Sequence, residues 1–153
     1  MANTYSQIYI QIVFAVKGRQ NLIPKDHREE LQKYMTGIVT RRDQKLLSIF
    51  CMTDHVHILV GIKPNISVSE LVRDIKTGSS GFINEQKWIH GKFQWQEGFG
   101  AFSYSKSQID TVSAYINNQV AHHKKKTFRE EYIDFLRKFN VEYNDQYLFD
   151  WIE

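Results

Sequence analysis

The sequence predicts an α+β fold: a ferredoxin-like, split β-α-β antiparallel sheet with helices on one face, followed by further C-terminal helices. Three observations carry this. Several short runs alternate apolar and polar residues with the period of a strand. The stretches between them space their apolar residues by three and four, as a helix does. The order along the chain is strand, helix, strand, strand, helix, strand, then two helices.

The first strand is expected over residues 5–16, where Ile8, Ile10, Ile12, Phe14 and Val16 share a face, and Lys17 and Gly18 end it. Pro24 suits the first turn of a helix carrying Leu31, Tyr34, Met35, Ile38 and Val39 as one buried stripe. Two strand-like runs, 46–52 and 55–62, are separated only by Thr53 and Asp54, which reads as a tight hairpin. Ser67 or Ser69 can cap the next helix, with Leu71, Val72 and Ile75 buried. Gly78 and Gly81 predict a bend or a second short helix up to Gln86. Residues 92–103 are expected as a strand or hairpin, irregular at Gly98 and Gly100. A helix should span 107–123 with Ser107 as its cap. A last helix over 128–139 should bury Phe128, Tyr132, Phe135, Leu136 and Phe139. The apolar tail with Tyr147, Leu148, Phe149 and Trp151 is expected to dock on the core or on a partner subunit.

With 153 residues, no repeats and no low-complexity tract, the chain is expected to be one domain, residues 1–153. The lone Cys51 lies in an apolar run and reads as a buried small hydrophobe. No stretch resembles a signal peptide or a membrane span, so a cytoplasmic location without membrane partners is expected. The formal net charge of +3 leans toward a polyanionic partner, with the basic residues gathered at Lys17/Arg19, Arg41/Arg42 and Lys124/Lys125/Lys126. A solvated basic surface is the plain alternative for each cluster.

Two groups of residues point to chemistry. On a strand His55 and His57 project the same way, roughly 6.6 Å apart along the chain, while Val56, Ile58 and Val60 face the core. Two imidazoles side by side make half of a metal site; two solvent-facing or otherwise satisfied histidines are the alternative. On the helix over 107–123, Tyr115 and Gln119 lie four apart on one face, with Cβ atoms roughly 5–6 Å from each other, and His122 falls on the same side.

These motifs, His55-Val56-His57 on a strand and Tyr115-Ile116-Asn117-Asn118-Gln119 on a later helix, resemble the single-tyrosine HUH transposases of small bacterial insertion sequences, the IS200-like group. The phrases over residues 54–60, 95–102 and 115–123 agree with that family, and the resemblance spans residues 5–140. It implies that His55, His57 and Gln119 hold one divalent ion, magnesium or manganese, and that Tyr115 attacks a phosphodiester to form a 5′-phosphotyrosine. It also implies homodimers with active sites shared between subunits, acting on single-stranded DNA hairpins near element ends. By the same analogy Lys124, Lys125 and Lys126 contact phosphates, with Lys17, Arg19, Arg41 and Arg42 as further candidates for the hairpin-binding face. Three other readings compete. One is a domesticated palindrome-cleaving relative with the same residues. Another is a non-catalytic nucleic-acid-binding module, whose aromatic RNP signature is missing from these strands. The third is a metal hydrolase that would not depend on Tyr115.

Overall fold

The computed structural model describes residues 4–144, so the apolar tail beyond them, with its expected docking role, lies outside the described residues. The strands are β1 (Tyr9–Ala15), β2 (Lys45–Cys51), β3 (His55–Gly61) and β4 (Gly100–Tyr104). They form one sheet in the order β2-β3-β1-β4, every neighbouring pair antiparallel. This is the expected split β-α-β order. The first strand is shorter than its apolar alternation suggested, because pairing begins only where Tyr9 meets Gly61 and Tyr104. The hairpin closes at the expected turn, with Met52 N donating to His55 O at 2.8 Å.

Helices α1 (Arg28–Arg41) and α2 (Val68–Gln86) cover one face of the sheet. Leu31, Met35, Ile38 and Val39 from α1, with Leu71, Val72 and Ile75 from α2, pack on Ile12, Phe14, Val56, Ile58 and Val60. Each large apolar side chain so enclosed contributes about 1.5–3 kcal/mol. Contrary to the expected bend, α2 runs unbroken through both glycines, capped by Ser67 Oγ, which accepts from Glu70 N at 3.1 Å. Gly78 lies in the α1–α2 contact instead: a Cβ there would lie 2.6 Å from Ile38 Cδ1, so a larger residue would require that side chain to shift. Pro24 precedes a short 3-10 turn (Lys25–His27), and α1 begins only after it.

Only β4 forms within the stretch expected as a strand or hairpin. Residues ahead of it run as a loop pinned beside the end of β1, through a Val16–Trp95 bridge and Gln96 N donating to Ala15 O at 2.8 Å. The expected C-terminal helices are α3 (Ile109–Asn117), α4 (Gln119–His122) and α5 (Phe128–Lys138). The long helix predicted through 107–123 is therefore broken, at Asn118 (φ −104°, ψ 24°). The capping box sits two residues earlier than predicted, on Ser105 with Gln108. A second box, Thr127 with Glu130, opens α5. These helices cover the face of the sheet opposite α1 and α2, where Val13, Ala15, Phe102, Phe128, Phe135 and Leu136 form one cluster and Leu59, Val112 and Ile116 another. Both faces of β1 and β3 are thus buried, and one of them holds histidines.

Candidate active site

His55 opens β3 and His57 follows on the same face, opposite Ala15 and Val13 of β1. The C-terminal helices close over both rings, leaving them 1% and 0% exposed. The His55 ring stacks on Phe128 with centroids 3.9 Å apart. Breaking the helix at Asn118 turns the chain so that Gln119 is buried and His123 meets the strand histidines, its ring centroid 4.9 Å from that of His55. Glu131, from the first turns of α5, completes the group. One donor atom from each of His55, His57, His123 and Glu131 lies within 4.8 Å of every other.

The hydrogen bonds around the rings fix which nitrogen faces inward. His55 Nδ1–H donates to Asp54 Oδ1 (2.7 Å), His57 Nδ1–H to Gln11 Oε1 (2.8 Å), and His123 Nδ1–H to the Lys126 carbonyl (2.9 Å). Gln11 is itself oriented, its Nε2 donating to the Tyr104 hydroxyl at 2.9 Å. Each Nδ1 thus has its own acceptor, which turns each Nε2 toward the cluster; a ring protonated on Nδ1 offers a lone pair there. Burial holds the His55 ring far below the ordinary histidine range, at about 3, against the opposing pull of its Asp54 hydrogen bond. Burial likewise lowers His123 to about 4, and both rings are neutral lone-pair donors at pH 7.

That arrangement fits a divalent ion. His55 Nε2 is buried without a hydrogen-bond partner among the described residues. His57 Nε2 (3.0 Å) and His123 Nε2 (3.3 Å) both face Glu131 Oε1, a contact that either a proton or a bound cation makes favourable. Locking the outer nitrogen of each ring onto an acceptor is how proteins orient metal-binding histidines.

Tyr115 stands at the rim, near the end of α3. Its hydroxyl donates to Glu131 Oε2 and lies 3.2 Å from His122 Nε2; the ring meets His57 edge-on, with centroids 6.0 Å apart. A cavity of about 270 Å³, lined by Gln11, Tyr104, Val112, Tyr115, His122 and Glu131 among others, opens beside the hydroxyl. A larger groove of about 670 Å³ lies between α2 and the loop before β4. Its central Lys76 ammonium is engaged by the carbonyls of Gln96 (2.8 Å) and Gly98 (2.7 Å), and the histidine cluster lies elsewhere.

Of the residues singled out from the sequence, His55, His57 and Tyr115 converge. Gln119 reaches the same cluster, its Oε1 2.9 Å from the inward-facing His123 Nε2 and its Nε2 toward Tyr115 O at 3.4 Å. Lys124 and Lys125 are exposed directly after His123, and the Lys126 ammonium bonds Asp134. Lys17 lies just beyond the His55 end of β1 and donates to Gln94 Oε1 at 3.3 Å; the side chain of Arg19 is outside the described residues. Arg41 and Arg42 close α1 just before β2, whose Lys45 pairs with Gly61, so they sit a strand's length, about 20 Å, from the His55 end. Arg42 is also paired with Asp74 at 2.8 Å. Sequence reasoning missed Glu131, although a signal was present. It falls inside the buried stripe Phe128, Tyr132, Phe135, where a carboxylate is out of place. Gln11, on the face of β1 opposite the row of Ile10, Ile12 and Phe14, is fully buried.

An antiparallel ferredoxin-like sheet carrying His55-Val56-His57 on one strand, with a helical tyrosine against the pair, is the arrangement expected of the class of tyrosine transposases. Residues 4–119 match the family described as "Transposase IS200 like", and the chain belongs to that family of DNA-binding, DNA-cleaving enzymes of transposition. It is 26% identical over 130 residues to the transposases of insertion sequence element IS200 from Salmonella typhimurium (strain LT2) and Salmonella typhi, covering 81% of this chain and 84% of each relative. Two solved structures share the fold. One, a transposase candidate from Deinococcus radiodurans R1, has a TM-score of 0.60 and 21% identity, covering 78% of this chain and 95% of the other. The second, a REP-associated tyrosine transposase bound to a REP hairpin, has a TM-score of 0.60 and 14% identity, covering 100% and 90%. The family match ends at Gln119; His122, His123 and Glu131 follow it.

Proposed function

We propose that this protein cleaves and rejoins single-stranded DNA at the ends of a mobile element, with Tyr115 as the nucleophile and a divalent ion at His55 and His57. One observation carries the reading: a buried set of inward-facing imidazole nitrogens lies against the carboxylate that holds the Tyr115 hydroxyl. Tyr115 Oη attacks the scissile phosphorus, the bond to the 3′ oxygen breaks, the upstream strand leaves with a protonated 3′-OH, and the downstream strand stays on the enzyme through a 5′-phosphotyrosine. A free 3′-OH attacking that linkage reverses the step and joins new ends without ATP. A phenol attacks poorly while protonated, with a reference pKa of about 10, and the acceptors its hydroxyl meets are Glu131 and His122. Held at these residues, a divalent ion would neutralise charge developing on the phosphate oxygens.

Gln119 stays in the proposed ligand set at its edge, in contact with His123. Among magnesium and manganese, a set this rich in imidazole favours manganese, since magnesium prefers oxygen. Hairpin DNA is the proposed substrate, in keeping with the REP hairpin on the structural relative. Lys124 and Lys125 are the best-placed phosphate contacts. A homodimer also stays within the proposal, with one amendment: Tyr115, His55 and His57 of a single chain already meet, so a partner is not needed to assemble them.

The reading is tested by incubating end-labelled single strands from both flanks of the gene with protein and Mn²⁺ or Mg²⁺, then resolving them on a denaturing gel. A metal-dependent protein–DNA adduct is expected, and Tyr115→Phe should abolish it. Cleavage that persists in Tyr115→Phe would replace the tyrosine with an activated water.

A further inference from the structure

Glu131 is a carboxylate buried to 3% exposure inside an otherwise apolar helix stripe, a position that carries a charge only when that charge is matched. Its two oxygens face different groups. Oε1 looks into the imidazole cluster, 3.0 Å from His57 Nε2, 3.3 Å from His123 Nε2 and 3.8 Å from His55 Nε2. Oε2 accepts the Tyr115 hydroxyl and lies 3.3 Å from His122 Nε2. With the outer nitrogens of the three cluster rings already donating to Asp54, Gln11 and Lys126, the inner nitrogens and Oε1 together form a set of acceptors around one point.

We propose that Glu131 is the anionic ligand of the metal and, through its second oxygen, the residue that positions Tyr115. Resting on the reading above, this assigns a role to a residue outside the family match and adds a charge to a ligand set that would otherwise be neutral. One carboxylate then sets the distance between ion and nucleophile. Metal binding fixes the Glu131 side chain, and the fixed side chain holds the phenol beside the place where the phosphate must lie. Loss of Glu131 therefore weakens metal binding and frees the tyrosine together, whereas loss of the tyrosine hydroxyl leaves the metal bound.

The test measures Mn²⁺ affinity of the full chain by titration calorimetry and by the EPR signal of free Mn²⁺, for wild type, Glu131→Gln, Tyr115→Phe and His57→Ala. Glu131→Gln keeps the shape and removes the charge; it is expected to weaken Mn²⁺ binding at least about ten-fold, with Tyr115→Phe within about three-fold of wild type. Wild-type affinity in a folded Glu131→Gln overturns the assignment. If that variant does not fold, the wild-type protein decides. Adding Mn²⁺ should perturb tyrosine ultraviolet absorbance in wild type and not in Tyr115→Phe, and an identical response in both overturns the coupling. Failure here stays separate from failure of the nucleophile. An adduct lost in Tyr115→Phe alongside unchanged Mn²⁺ affinity in Glu131→Gln sinks this proposal alone, while cleavage by Tyr115→Phe sinks the tyrosine reading alone.

Discussion

The two faces of strand β3 are equally dry and chemically opposite. Val56, Ile58 and Val60 point into an apolar core under α1 and α2, while His55 and His57 point into a polar cluster under α4 and α5. All five are essentially unexposed. Burial alone therefore does not distinguish structure from function here; what differs is whether the enclosed atoms satisfy one another. On the apolar side every contact adds to stability. On the other side imidazole nitrogens and a carboxylate are held at distances that a cation would make favourable.

The largest effects should separate the faces cleanly. Ile58→Ala is expected to cost about 2–5 kcal/mol of stability, yet the rise in melting temperature on adding Mn²⁺ should survive. His57→Ala should lose that metal-dependent rise altogether. Thermal melts with and without Mn²⁺ measure both, and a metal response in His57→Ala would remove the polar face from metal binding. Mixing Tyr115→Phe with His57→Ala asks whether one chain suffices. Because the groups of one chain already meet, no adduct is expected from the mixture; a restored adduct would mean that subunits exchange the tyrosine.

A smaller effect follows from protonation. His55 and His123 titrate at about 3 and about 4 in the fold, below the ordinary 6.5. Between those values the unfolded chain binds protons that the folded chain refuses, so stability is full above about pH 6.5 and declines toward pH 4. Melting temperatures of the metal-free protein should fall across that window, and a flat profile would mean these rings are not held neutral. Smallest of all, Lys124→Ala with Lys125→Ala should weaken single-strand binding and reduce its salt dependence. Arg41→Ala, at the far end of the sheet, should leave both within error in a fluorescence-anisotropy titration.

The apolar face was legible in the sequence because its signal is periodic. The stripes at Leu31–Val39 and the alternation through Ile58 predict burial from spacing alone. The histidine pair and Tyr115 were legible for a related reason, since two short local motifs carry them. What escaped was made by the third dimension. Glu131 and Gln11 are far from His57 in sequence and join it only when α5 folds back and β1 pairs with β3. The break at Asn118 escaped too, because nothing in an Asn-Asn-Gln stretch forbids a continuous helix; the chain turns there as Gln119 and His123 enter the core.

The alternation along β3 carries a consequence for the gene as well as for the molecule. Sliding the strand by one residue would send valine and isoleucine into the cluster and imidazoles into the hydrocarbon core. A one-codon deletion in the Thr53–Asp54 turn would therefore strike folding and chemistry in a single event.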